Sequence, residues 1–475
     1  MNDSPPGDAG LRFAEPHAPI DFEPYRQSYV LPQWKDTRGL YRKRPSRELG
    51  TARNEDKAAY FSPEIMVREW DRLWTRVWLL VGHLSDIPRP NAFMKVDRGP
   101  ESILVVRGEG DTVRAMYNVC QHRGTRLVVQ DFGSATKFTC PFHKWEFSNT
   151  GELLKITDRE TFREESLCHG LDLPKVRSAV WRGWVFVTFD DDAAPLADWL
   201  GEEFIDLARA YDFEKVLRIR DVQQEWPVNW KTAHEAFLEG YHVQATHPQL
   251  LAAVDSYHAQ TNLLDNGHGH SVYQFMSPAP PPHQPTRMPD GLCEENRIFL
   301  REAGIPETEW PRHWSEVPQA IIKAKLAKKD YAIDYSKFSE GQLVDDWNLG
   351  VFPTTEMFLH PEGFFLQNWL PHPTDPEKCF YQVQVYAVPG IGELPSFMAV
   401  ENADFSGKRV LPRTYIEDDD LENLGPVIKQ DRLINPRVQQ GLHSRGFKGA
   451  VYSEQEIRIR HFFAEYYKYM RGEET

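Results

Sequence analysis

The spacing of hydrophobic positions changes along the chain, and each change predicts a different kind of element. Met66, Trp70, Leu73, Trp74 and Val77 recur at helical intervals behind Ser62-Pro63-Glu64, where a capping serine precedes a proline at the first helical position. A helix with a buried tryptophan face is expected, and residues 56–84 are taken as a helical segment packing on the last domain. From 85 to 190 the period shortens. Ala92 to Val96, Glu101 to Arg107, Thr112 to Val119, Lys137 to Thr139 and Gly183 to Thr188 read as short strands between turn signals, which makes a small all-β domain. The run Asp190-Asp191-Asp192 reads as its solvated end. Residues 191–475 then mix the two periods. A helix is expected from Trp230 to Thr246, strands at Gly350 to Leu359, Gly363 to Leu370 and Cys379 to Val388, and a closing helix on Ile459, Phe462, Phe463, Tyr466 and Met470 behind the capping box Ser453 to Glu456. The proline-rich stretch 277–290 cannot form regular helix or central strand, because proline lacks the amide donor, and is expected as a surface loop or lid. Residues 1–55 show no sustained periodicity and read as an extended arm able to wrap a neighbouring subunit.

Inside the β domain lie Cys120-Gln-His122 and Cys140-Pro-Phe-His143. A tetrahedral structural zinc accepts two Cys and two His, but usually through a Cys pair and a separate His pair. Here each half supplies one thiolate and one imidazole. That arrangement suits a [2Fe–2S] cluster with one iron held by two Cys and the other by two His, the Rieske pattern, whose neutral imidazoles raise the potential well above that of an all-Cys ferredoxin.

Composition narrows the setting. With 55 Lys and Arg against 70 Asp and Glu, the net charge of -15 argues against a broad nucleic-acid or anionic-membrane surface, though an acidic face could dock a basic redox partner. The 5 cysteines, Cys120, Cys140, Cys168, Cys293 and Cys379, are too sparse for a disulfide framework and favour a reducing compartment. The N-terminus has neither the basic start nor the apolar core of a secretory signal, and no run approaches a membrane span of ~18 residues. A cytoplasmic protein is expected.

A second constellation follows at Glu239-Gly-Tyr-His242 and His247-Pro248. On an unbroken helix His242 and His247 would diverge by about 140°. Pro248 pushes its predecessor out of the helical region, so His247 can fold back and both imidazoles can meet one ion. Two imidazoles and a carboxylate make the facial triad of a mononuclear non-haem iron, with open positions left for other ligands. Glu239 is the nearest acid, and Ile416 to Asn423 is the best later source of the third ligand. His83 reads as packing, and His234, His258, His268, His270 and His313 as surface or core residues.

Taken in order, Trp78 to His83, both cluster half-motifs, Asn229-Trp230-Lys231, the Glu239 to His242 stretch, Phe352-Pro353 and the late acidic run resemble the catalytic α subunit of Rieske-type non-haem iron oxygenases, the aromatic ring-hydroxylating dioxygenase family. The likeness covers roughly residues 57–470. It implies an α+β chain: an all-β Rieske [2Fe–2S] domain at 85–190 and, at 191–475, a helix-grip (START/Bet v1-like) catalytic domain with a central antiparallel sheet. It implies Cys120 and Cys140 on one cluster iron and His122 and His143 on the other. The mononuclear iron(II) would be held by His242, His247 and Asp420, with Asp419 as the fallback. Glu239 would be a bridging carboxylate that relays electrons from a neighbouring subunit's cluster to His242. The implied activity is hydroxylation or cis-dihydroxylation of an aromatic or other apolar ring, using O2 and electrons from NAD(P)H through a reductase and possibly a ferredoxin. The implied assembly is a homotrimer, with or without a β subunit. Glu239 stands where the best-known ring dioxygenases have Asp, Ala236 where an Asn is frequent, and Lys144 where a Gly usually follows the second cluster histidine. The alternative activity within the family is monooxygenation or demethylation of a small cationic or methoxylated substrate. The rivals of other classes are a non-catalytic Rieske electron carrier and a zinc-stabilised binding protein.

Overall fold

A computed structural model describes residues 49, 53–252, 254–275, 291–329, 332–391, 409–417 and 419–473. The expected arm at 1–55 lies almost wholly outside them, and the proline-rich stretch at 277–290 lies wholly outside.

Ser62 caps the first helix as expected: its hydroxyl accepts from the Ile65 amide, and Pro63–Glu69 runs helical before a wider turn at Trp70–Trp74. Leu73, Trp74 and Val77 are buried. The chain then enters a seven-stranded antiparallel sheet. Its order is Leu79–His83, Trp184–Thr188, Lys175–Trp181, Val113–Tyr117, Glu101–Arg107, Ala92–Arg98 and Phe132–Ser134. Leu79–His83, grouped above with the helix, is thus an edge strand of the β domain. A three-stranded sheet of Lys137–Thr139, Glu146–Ser148 and Leu153–Lys155 lies beside it. Phe93, Leu104, Val106, Met116, Trp145, Phe147 and Leu173 close a small core of their own, and Cys120 and Cys140 belong to it.

The second sheet has eight strands in the order Val254–Leu263, Gly269–Phe275, Asp346–Val351, Thr355–His360, Gly363–Pro371, Cys379–Ala387, Leu217–Trp226 and Thr414–Ile416. All neighbours are antiparallel except the last pair. The expected single strand from Gly350 to Leu359 is instead the end of one strand and most of the next, because Pro353 cannot donate to a ladder and sits in the turn between them. The closing helix forms at Ile457–Arg471, preceded by Glu456 accepting from the Ser453 amide at 2.7 Å, and it buries Ile459, Phe462, Phe463, Tyr466 and Met470.

The domains are pinned by buried polar contacts. Arg218 on the second sheet pairs with Asp86 of the β domain at 3.2 Å and with Asp221 at 2.6 Å, while its guanidinium lies 4.3 Å over the Phe132 ring. His83 packs between Trp184 and Tyr386 and contacts the Phe213 carbonyl at 3.0 Å, the packing role expected of it. No described helix is long and apolar enough to cross a membrane.

Candidate metal centres

The two halves of the first site are built alike. In one loop the Gly124 amide donates to the Cys120 carbonyl and the Cys120 amide to the Thr125 carbonyl, both at 2.9 Å. In the other, Lys144 donates to the Cys140 carbonyl at 3.0 Å and Cys140 to the Trp145 carbonyl at 2.8 Å. Each loop closes through a residue in the left-handed region, Gly124 at φ 76° and Lys144 at φ 58°. A non-glycine residue there carries strain, so Lys144 stands where a glycine would fit more easily.

The loops bring all four expected residues together. The His122 and His143 rings lie 4.6 Å apart, with Trp145 stacked on His122 and Phe142 against His143. Both Nδ1 atoms are buried without a hydrogen-bond partner, which a histidine in an ordinary core avoids. Both cysteines are free and buried, and burial, followed by the adjacent Cys140 thiol, pushes the Cys120 thiol up. Burial and then the His143 ring hold the His122 imidazole below its usual range. Two free thiols beside two imidazoles with unpartnered Nδ1 atoms are the donor set of a two-iron cluster, with thiolates on one iron and imidazoles on the other.

The second site departs from the sequence reading in two ways. First, the expected helix from Trp230 to Thr246 is broken. Trp230–Glu235 is helical and capped by Asn229, but Phe237 and Leu238 turn back through three-residue hydrogen bonds and helix resumes only at Val243–Thr246. Glu239 and His242 therefore sit in a turn rather than on one helical face. Gly240 permits it: a Cβ there would lie 2.7 Å from the Tyr273 ring and 3.1 Å from the Ser256 carbonyl. Glu239 closes the turn, accepting from the His242 amide at 3.0 Å and meeting the same residue's Nδ1 at 2.6 Å. His247 leaves the helical region at φ −124°, ψ 53°, as its neighbour Pro248 requires. The two imidazoles then face each other with ring centres 5.0 Å apart.

Second, the acid between them is Asp431, not Asp420. Asp431 Oδ1 lies 3.0 Å from His247 Nε2 and 3.7 Å from His242 Nε2. Its Oδ2 is buried without a partner. Among the described residues, these three form the only group of His, Cys, Asp or Glu donors compact enough for one ion. Asp420 accepts from the Asn423 side chain at 2.5 Å, and its carbonyl accepts from Gln224, in a loop that ends before the helix Pro426–Leu442. Asp419 is exposed in the same loop, and Asp418 lies outside the described residues. Sequence reading missed the helix because its polarity is inverted. Asp431, Asn435 and Gln439 line the buried face at four-residue spacing, whereas Leu433, Ile434 and Val438 are exposed and Pro436 sits inside. That polar stripe is the signal that could have found Asp431.

The charges suit a cation. Burial pulls the His242 imidazole down, but Glu239, then Asp431 and Glu456, outweigh it and hold it above its usual range. Behind the site, Glu235 accepts from Tyr60 at 2.6 Å and is pushed up to about 7, mainly by burial. His234 is committed to Glu356, His268 to the Trp199 carbonyl and the Phe352 amide, His270 to Asn262, and His313 caps Ser315, so none is drawn to the triad. The side chain of His258 is outside the description.

Two family models match the chain: a Rieske [2Fe-2S] domain over residues 77–171 and a ring hydroxylating alpha subunit catalytic domain over residues 213–472. The chain belongs to the ring-hydroxylating alpha-subunit family. It is 32% identical over 200 residues to the anthranilate 1,2-dioxygenase large subunit of Acinetobacter baylyi, covering 41% of this chain and 42% of that one. It is 32% identical over 199 residues to the glycine betaine monooxygenase oxygenase subunit of Chromohalobacter salexigens, covering 42% and 44%. These matches span less than half the length of either relative. In fold, the family member is similar to the quaternary ammonium Rieske monooxygenase CntA in complex with L-carnitine, with a TM-score of 0.60 at 20% identity over 88% of this chain and 97% of that one.

Proposed function

We propose that this alpha subunit is the oxygenase component of a multicomponent system, inserting oxygen from O2 into an organic substrate with electrons from NAD(P)H. The observation that carries the reading is the His242–His247–Asp431 group with its unpartnered carboxylate oxygen, in one chain with a second, cysteine-and-histidine site. Cys120, Cys140, His122 and His143 would hold the [2Fe–2S] cluster, and His242, His247 and Asp431 the iron. When bound, these groups supply one-electron transfer and activation of dioxygen. The chain's own work is positional. Glu239 fixes the tautomer of His242 by holding its Nδ1 proton, leaving Nε2 free beside Asp431. Trp145 stacks on His122 and Phe142 packs against His143, limiting how each imidazole can turn.

A reductase, with or without a ferredoxin, is the partner in this reading, in the cytoplasm. A homotrimer is the assembly, with Glu239 linking His242 to a neighbouring copy's cluster. Exposed Tyr241, Leu433 and Val438 near the triad and exposed Phe142 beside His143 are the apolar surfaces such a contact would cover. An aromatic or other apolar ring is the substrate. The relative acting as a glycine betaine monooxygenase keeps a second reading, oxidation of a small cation.

The test uses purified protein with a generic reductase, NADH and 18O2. About three irons per chain and labelled product from an aromatic or a quaternary amine are expected. About two irons and no labelled product would leave an electron carrier.

A further inference from the structure

The two imidazoles of the triad have unlike outer partners. Behind His242 stands the Glu239 carboxylate; behind His247 stands a neutral amide, the Gln430 side chain, with Oε1 2.7 Å from Nδ1. We infer that Gln430 is a positioning residue for the mononuclear metal, selecting the tautomer of His247 that leaves its Nε2 free to bind; this rests on the proposed iron site.

The argument is geometric. A histidine that binds through Nε2 must carry its proton on Nδ1, and that proton needs an acceptor. Gln430 presents its Oε1 at that edge, and the same oxygen also accepts from Gln249 Nε2 at 2.8 Å. The acceptor and the ligand are consecutive residues of one helix. Gln430 takes the Nδ1 edge of the ring while Asp431 stands 3.0 Å from the Nε2 edge. His247 is thus bracketed by a single turn of Pro426–Leu442, so the helix that delivers the carboxylate also orients the neighbouring imidazole. Gln249 lies on the surface, where a hydrogen bond is readily replaced by water, so Gln430 is the decisive partner.

The experiment strips the mononuclear iron from the purified protein with a mild chelator and titrates it with Fe(II), then Co(II). The visible absorption of the cluster and the melting temperature serve as controls for folding. Gln430→Met keeps the length of the side chain but removes the acceptor, and should weaken binding by roughly 10- to 100-fold. Gln430→Glu restores an acceptor at the same length and should bind at least as tightly as the parent protein. Parent-like affinity in Gln430→Met, or weaker binding in Gln430→Glu, would overturn the role of Gln430. Asp431→Ala separates this from the underlying reading: if it takes up metal like the parent, the iron site itself is wrong, whereas if it alone loses metal, only the inference about Gln430 fails.

Discussion

The two metal centres of this chain are made in opposite ways. The proposed cluster residues lie within one short stretch, on two loops with the same internal hydrogen bonds, so local sequence builds the site almost unaided. The triad is assembled from a turn, a helix end and a helix 184 residues further along from His247. Its geometry depends on how the whole second domain packs. The lesson is that a site held by loop chemistry is written in a motif, while a site held by tertiary packing is written in which face of a helix is buried.

The sharpest way to break this contrast is to remove one ligand from each centre. Cys140→Ser should abolish the visible cluster absorption. Asp431→Ala should leave that absorption in place, reduce iron from about three to about two per chain, and bring turnover to background. Asp420→Ala should keep both iron and turnover. Iron analysis and product formation on the same preparations check all three, and full iron in Asp431→Ala would return the third ligand to the acidic loop.

That pair of aspartates also marks where the sequence was legible. Cys120, His122, Cys140 and His143 could be read because the residues that touch in space are near one another in the chain. The pairing of His242 with His247 could be read because Pro248 acts on its own neighbour. The helix Pro426–Leu442 could not, because hydrophobic periodicity assumes apolar residues point inward. Here Asp431, Asn435 and Gln439 point inward and Leu433 and Val438 outward. The overextended helix at 230–246 failed for a related reason. Gly240 is forced by Tyr273 and Ser256, residues of strands that form later in the chain.

Removing outer partners should have smaller effects than removing ligands. If Glu239 bridges the subunits as proposed, Glu239→Gln should slow product formation by roughly 10- to 100-fold while both metal centres stay loaded, because the orientation of His242 is weakened but no ligand is lost. Unchanged turnover would contradict the bridging role.

Glu235, at the end of the helix Trp230–Glu235, gives a test that needs no metal. Its carboxyl is raised from the ordinary 4.5 to about 7, first by burial and also by Glu456, while Tyr60, Lys231 and Tyr452 pull it back. The nearby Lys231 ammonium is already paired with Glu69, whose carboxylate also accepts from the Trp230 indole and the Tyr466 hydroxyl. The folded chain therefore keeps a proton that the unfolded chain releases above pH 4.5. The stabilisation from this group is complete below that pH and is lost as pH rises through 7, an upper bound of about 3 kcal/mol. Urea unfolding at pH 5 and pH 8 should show a fall in the parent that Glu235→Gln lacks. Parallel pH profiles would mean that Glu235 is ionised throughout.

The smallest effect expected concerns the two cluster loops, which differ at one equivalent position. Gly124 and Lys144 each donate to the carbonyl of their loop's cysteine, and each has positive φ. An L side chain in that region costs roughly 1–2 kcal/mol. Replacing it by glycine returns part of this through greater freedom of the unfolded chain, roughly 0.5–1 kcal/mol. Lys144→Gly should therefore stabilise the chain by no more than about 1.5 kcal/mol. Gly124→Ala, at φ 76° but with no atom within 4 Å of the added Cβ, should destabilise by a similar amount through backbone strain alone. Denaturation followed at the cluster absorption measures both. If the two substitutions move stability in the same direction, the loops are not equivalent in energy, and the symmetry of their hydrogen bonds would be a matter of shape only.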